Sequence, residues 1–259
     1  MVMQNKYSIQ FDLNREYRDK IFWTRFGEKP RFYNKKILDF GCGVGSLSID
    51  IAQNQAKKVI GIDVDESAIQ FAKQNLTASY PHLSSVIVFQ AGELIHYVED
   101  EFDYIVSKDV FEHVLDLPEY LIAMKKRLKP GGRIYAGFGP LYPSPYGDHD
   151  RRRTGLSPYG VVGRILARIP WLHLLMEDKI VQMHRQHLGK EACSMYDLGL
   201  NKRSVSDYRQ VFKDSGLVIL DFRVNCSSNI GSRLLSAIGK VPCLENYCSH
   251  NLYCILMRQ

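Results

Sequence analysis

The sequence predicts an α/β protein built on a doubly wound, mostly parallel sheet of seven strands, with an α-rich lid insertion between the fifth and sixth. Three observations carry this. Short apolar runs alternate with stretches of helical spacing from Lys36 onward, the first run ends in a glycine cluster, and the alternation breaks only once, from Pro140 to about Leu200.

The first strand is Lys36 to Phe40 (KILDF), and Leu47 to Ala52 then spaces its apolar residues as a helix does. A second strand, Lys58 to Asp63, precedes a helix from Glu66 to Leu76. The third strand is Ser85 to Phe89 and the fourth Phe102 to Ser107. A helix from Tyr120 to Leu128 is stopped by Pro130, Gly131 and Gly132, and the fifth strand follows from Arg133 to Gly137. After the insertion, Val205, Tyr208, Val211 and Phe212 share one face of a helix from Ser204 to Ser215, which Gly216 is placed to end. Two last strands, Val218 to Val224 and Asn251 to Met257, flank a loop or short helix around Leu234 to Cys243.

Composition agrees with one folded domain. With 259 residues, 45% hydrophobic and 24% charged, the chain can bury a core without disulfides or a structural metal, and disorder is excluded. No run approaches the roughly 20 apolar residues of a membrane span, and the first residues lack the apolar core of a signal peptide. A cytoplasmic setting is the resulting expectation. The net charge of +6 permits an anionic partner but is small for a nucleic-acid binder. None of the six cysteines forms a C-x-x-C pair. Cys243, Cys248, His250 and Cys254 crowd together, but their spacing disfavours zinc and reduced thiols are expected.

The glycine cluster reads Asp39-Phe-Gly41-Cys-Gly43-Val-Gly45. Glycines here let the chain turn tightly and let a ligand approach the backbone, over the carboxyl ends of the strands. The spacing is G-x-G-x-G, with Ser46 where a dinucleotide fingerprint would place its third glycine, which argues against a nicotinamide-dependent oxidoreductase. Asp63 ends the second strand, where a carboxylate can accept hydrogen bonds from both ribose hydroxyls or cap the following helix.

At these residues the chain resembles the class I S-adenosylmethionine-dependent methyltransferases. ILDFGCGVG is similar to their first motif, VIGIDVDESAIQFAKQN to their ribose-binding acidic strand, FQAGEL to the adenine-side loop, and LKPGGRIYAG to the glycine turn before the fifth strand. The resemblance covers Lys35 to Gly139 closely and the segment from Asn201 loosely. It implies a Rossmann-like core over residues 35–139 and 201–259, an N-terminal helical segment over the site (residues 1–34), and a lid or acceptor-binding insertion (residues 140–200). It further implies that Asp39, Gly41, Gly43 and Gly45 hold the methionine end of the cofactor. Asp63 would then bind the ribose, with Val64, Gly92 and Glu93 beside the adenine and Lys108 also lining the cofactor site.

Transfer to a hydroxyl requires removal of a proton, by a base or with a metal. Ser107-Lys108-Asp109-Val110-Phe111-Glu112-His113 follows the fourth strand, and in a helix Asp109, Glu112 and His113 would share one face. With His149 from beyond the fifth strand, they form a candidate site for magnesium or manganese, similar to the pattern in some O-methyltransferase branches. Two other readings stand beside it: His149 or His113 as a metal-free base, supported by Glu112, and a Glu-His pair that only organises the turn. Tyr142, Tyr146, Tyr159 and Trp171, with the apolar stretch Val161 to Met176, suit a substrate lid, the insertion's own core or a dimer contact. Arg164 and Arg168 within that stretch also allow weak contact with a membrane surface. Arg151, Arg152 and Arg153 are candidates to grip an anionic acceptor. The expected function is methylation of a small hydroxylated acceptor by a monomer or homodimer. N-methylation, RNA methylation and a non-catalytic binding role are the alternatives.

Overall fold

The computed structural model describes residues 2–96, 101–149, 160–188, 192–225 and 230–259. The chain begins with α1 (Val2–Leu13), which passes through one π-helical turn, Asn14–Arg18, into α2 (Asp19–Arg25). The sheet follows: β1 (Lys36–Phe40), α3 (Ser46–Gln53), β2 (Lys58–Asp63), α4 (Glu66–Ser79), β3 (Ile87–Ala91), β4 (Phe102–Lys108), α5 (Leu117–Arg127) and β5 (Leu128–Phe138). The insertion carries α6 (Gly160–Leu166), α7 (Leu172–Leu175) and α8 (Glu177–Leu188). The chain then closes with α9 (Val205–Asp214), β6 (Val218–Val224), α10 (Ile230–Ile238), α11 (Glu245–Cys248) and β7 (Leu252–Met257).

The seven strands lie in the order β3-β2-β1-β4-β5-β7-β6. The first five are parallel, and β7 pairs antiparallel with both β5 and β6. This is the Rossmann-like, doubly wound architecture that the alternation predicts. Because side chains alternate across a strand, a sheet buried on both faces needs apolar residues at consecutive positions. Ile37, Val106 and Tyr135 accordingly face one core with Phe22, Trp23, Ile49 and Ile69, while Leu38, Ile105 and Ile134 face the other with Leu121, Met124, Tyr208 and Phe212.

Local chemistry sets the ends of the helices. The Asp65 carboxylate accepts from the Ser67 and Ala68 amides at 3.0 Å and caps α4, so the cap is Asp65 and not Asp63. Ser204 and Asp207 form a reciprocal capping box on α9, and Gly216 ends that helix at φ +67°. The starts of β3 and β5 differ from expectation for identifiable reasons. β3 starts at Ile87 because Val86 donates back to the Leu83 carbonyl in a turn, and β5 starts at Leu128, with a register shift between Phe102 and Tyr104 that absorbs the Pro-Gly-Gly segment.

The insertion has a core of its own. Tyr142, Leu172, Ile180, Val181, Met195 and Leu200 pack together, and the Tyr142 hydroxyl donates to Glu177, which also holds Lys202. Tyr146 donates to the Arg168 carbonyl and the Trp171 indole to the Tyr247 carbonyl. These aromatics serve the insertion and its seam, and none of the three lines the cavity described below; Tyr159 lies outside the described residues. Cys42, Cys193, Cys243, Cys248 and Cys254 are free thiols. Among the described residues, no helix is long and apolar enough to cross a membrane.

Candidate active site

A cavity of about 560 Å³ opens at the carboxyl ends of β1, β2 and β4. Its floor is the glycine loop, where Gly41, Gly43 and Gly45 all have positive φ, at 74°, 50° and 78°. Packing explains two of them. A Cβ on Gly41 would lie 2.2 Å from the Val110 side chain, and one on Gly45 would lie 2.5 Å from the Phe89 ring. At Gly43 the nearest atom would be an Asp63 oxygen at 3.9 Å, so this glycine leaves room above the loop.

Asp63 joins the loop to the next strand. One carboxylate oxygen accepts from the Gly43 amide at 2.7 Å and the other from the Asp65 amide at 2.9 Å. The acid therefore stands fixed on the cavity wall, beside Val64, whose side chain is 71% exposed. A fixed carboxylate next to an exposed apolar side chain suits a ribose next to a flat base. Gly92 and Glu93 complete that side, and Tyr120 donates to Glu93 at 3.2 Å. Asp39 lies under the loop and accepts from Ser48 at 2.6 Å; burial raises its carboxyl to about 7. Lys108 is also on the wall, ion-paired with the buried Asp19 of α2. These residues fit an adenosyl cofactor with a charged amino-acid end.

Gln10, Asn14 and Arg18 close the cavity from above. The sequence predicts a helical segment over the site but singles out none of these three as lining it, nor Asp116, the N-cap of α5, and Tyr120 within that helix. The π turn that presents Asn14 and Arg18 has no spacing signature, and its contacts with the cavity are long-range.

Among the described residues the expected metal ligands do not converge. Asp109 adopts φ +56°, which breaks the helix that would have aligned the set, and Phe111–His113 is a single 3₁₀ turn. Glu112 turns inward, away from the cavity, and accepts from the Gly139 amide at 3.0 Å. Burial, with Asp109 nearby, raises it to about 8, and its second oxygen has no hydrogen-bond partner among the described residues. Its placement is that of a structural acid under the turn. Among the described residues no group of three or more His, Cys, Asp or Glu side chains converges as a metal site, around Asp109, Glu112, His113 and His149 or around the tail cysteines.

Two of the four do line the cavity. Asp109 sits on the wall with its carboxyl raised by burial, against the opposing pull of Lys108, Arg18, Arg25 and His113. His113 sits beside it and donates from Nδ1 to the Gly199 carbonyl at 2.8 Å, since a carbonyl can only accept. That bond leaves the lone pair on Nε2. His149 stands behind His113, ring to ring at 5.0 Å, and donates to the Pro140 carbonyl at 2.7 Å; it is not part of the wall. Arg151, Arg152 and Arg153 lie outside the described residues.

Residues 32–137 match the family model for a methyltransferase domain. Phosphoethanolamine N-methyltransferase 1 of Arabidopsis thaliana is 32% identical over 170 residues, which is 63% of this chain and 33% of that protein. The ubiquinone biosynthesis O-methyltransferase of Dinoroseobacter shibae is 37% identical over 106 residues, 39% of this chain and 40% of the other. The chain thus spans about a third of the length of the plant relative. An S-adenosylmethionine-dependent methyltransferase structure from Mesorhizobium loti superposes with a TM-score of 0.59 at 18% identity, over 91% of this chain and 96% of that one. The matched segment contains the whole glycine loop, Asp63, Glu93, Lys108 and His113.

Proposed function

We propose that the chain, whose residues 32–137 match a methyltransferase-domain model, is a class I S-adenosylmethionine-dependent methyltransferase that methylates an oxygen of a small acceptor, with His113 as the base. S-adenosylmethionine supplies an electrophilic methyl group when bound. The loop Gly41 to Gly45, with Asp39 below it, would receive the amino-acid end, and Asp63 and Val64 the adenosine. The N-terminal helices, through Gln10, Asn14 and Arg18, would exclude water from above and so strengthen the polar contacts inside.

The observation that carries the proposal is the fixed tautomer of His113. With Nδ1 donating to Gly199, the lone pair of this cavity-lining imidazole is on Nε2, which would take the acceptor's proton as the new bond forms. Arg18 on the same wall favours an acceptor that carries negative charge. An amine acceptor, as named for the plant relative, would use the same base.

The test combines a panel of small hydroxyl and amine compounds with a deuterated methyl donor, read by product mass and position of the label. His113→Asn is expected to lower kcat by about 10²- to 10⁴-fold while leaving donor affinity within about twofold. A variant that keeps full kcat removes His113 from the chemistry, and label found only on nitrogen removes O-methylation.

A further inference from the structure

Two segments leave the sheet at the end that bears the cavity and present apolar side chains outward. β5 and β6 both run antiparallel to β7, so the connections carrying α6 and α10 start from the same, carboxyl-terminal edge. In α6, Val161, Val162 and Ile165 are 64%, 63% and 60% exposed, whereas Gly163, and Ala167 just past its end, are buried. Leu175, shortly after, is 83% exposed. In α10, Ile230 and Leu234 are 85% and 61% exposed. The two segments are tied together, since the Trp171 indole donates to the Tyr247 carbonyl in α11, which packs on α10.

Charge within the two segments has one sign. Arg164, Arg168, Arg233 and Lys240 lie among the apolar positions, and the sequence holds no Asp or Glu from residue 160 to 176 or from 230 to 244. Of the acids that follow, Glu177 and Glu245 are held by Lys202 and Arg209, and Asp178 is exposed beyond the apolar positions. A second copy of the chain seated on this face would set positive charge against positive charge. An anionic bilayer offers what the face lacks, with lipid phosphates for the basic groups and an acyl boundary for the valines, isoleucines and leucines.

We infer that α6 and α10 dock the protein on the surface of an anionic lipid membrane, with the cavity end of the sheet turned toward the bilayer. The inference stands on surface residues alone and does not depend on the methyl acceptor.

Flotation of the full chain with vesicles tests it. Vesicles of phosphatidylcholine containing phosphatidylglycerol are expected to carry the protein at low salt, and pure phosphatidylcholine vesicles to leave it behind. Arg164→Glu with Arg233→Glu should reduce the bound fraction by about fivefold or more per arginine. Ile165→Asp with Leu234→Asp should abolish binding, while both double variants keep the parent melting temperature and donor affinity. Absence of flotation with anionic vesicles overturns the inference, as does equal flotation of all variants. A dimer that Leu234→Asp converts to a monomer overturns it too, by giving the face to a second copy.

Discussion

Glu112 shows how strongly burial governs what a residue can do. The Ser107 to His113 sequence offers it as an acid or ligand, yet the side chain is buried beneath the turn, with one oxygen bound by the Gly139 amide. Its carboxyl is raised from 4.5 to about 8, so the folded state favours the neutral acid. The corresponding stability is fully present below pH 4.5 and is lost as pH rises toward 8, because the unfolded chain ionises first. Glu112→Gln should therefore flatten the fall in melting temperature across that window, read by calorimetry at a series of pH values. Parallel curves for parent and variant would contradict this. Asp39, Asp63 and His113 occupy the cavity as their motif positions suggest, since they sit on strand ends and turns whose geometry is local. Glu112 was not legible because spacing along a chain fixes neighbours and not depth, and the left-handed Asp109 re-aims everything after it.

At the scale of elements, the strand-to-helix turn is the part most tightly bound to its sequence. Gly45 lies just before α3 at φ +78°, with Phe89 of β3 against the space where a side chain would stand. Gly45→Ala should thus cost about 1–3 kcal/mol of stability and weaken donor binding by at least about tenfold, measured by denaturation and by titration calorimetry. An alanine variant with parent affinity would show that the turn has slack. The alternation of apolar runs and helical stretches made β1, β2, β4 and β6 readable nearly to the residue. It failed where tertiary contact decides. β5 extends back through Pro130 because the Gly131 amide donates to the Arg258 carbonyl and the Arg258 amide to the Gly132 carbonyl, just beyond the end of β7. The apolar stretch of the insertion breaks into short helices, with Trp171 in a left-handed conformation.

At the scale of the molecule, aromatic rings bind the first helices to the strand at the other end of the chain. Phe22 meets Trp23 at 4.8 Å and Tyr253 at 6.0 Å, and Phe26 meets Tyr253 at 5.2 Å, with Arg25 donating to the Tyr253 hydroxyl. The same helices hold Arg18 over the cavity and Asp19 against Lys108. Phe22→Ala should cost about 3–5 kcal/mol and also raise the donor Kd, because the cover loses its anchor. A loss of stability with an unchanged Kd would separate the two. The sequence could place a helical segment over the site, but not the ring contacts, which join residues more than two hundred positions apart.

That β7 lies between β5 and β6 also sets the order in which the molecule can assemble. During synthesis β1 to β5 can find partners as they emerge, but β6 pairs with β7 alone and must wait for it. Until residues 252–257 arrive, β6 and the outer edge of β5 are open strands, and the aromatic seat for the first helices lacks Tyr253. A ribosome stalled shortly before Leu252 would hold a nascent chain with sticky edges and an uncovered cavity, a natural client for a chaperone.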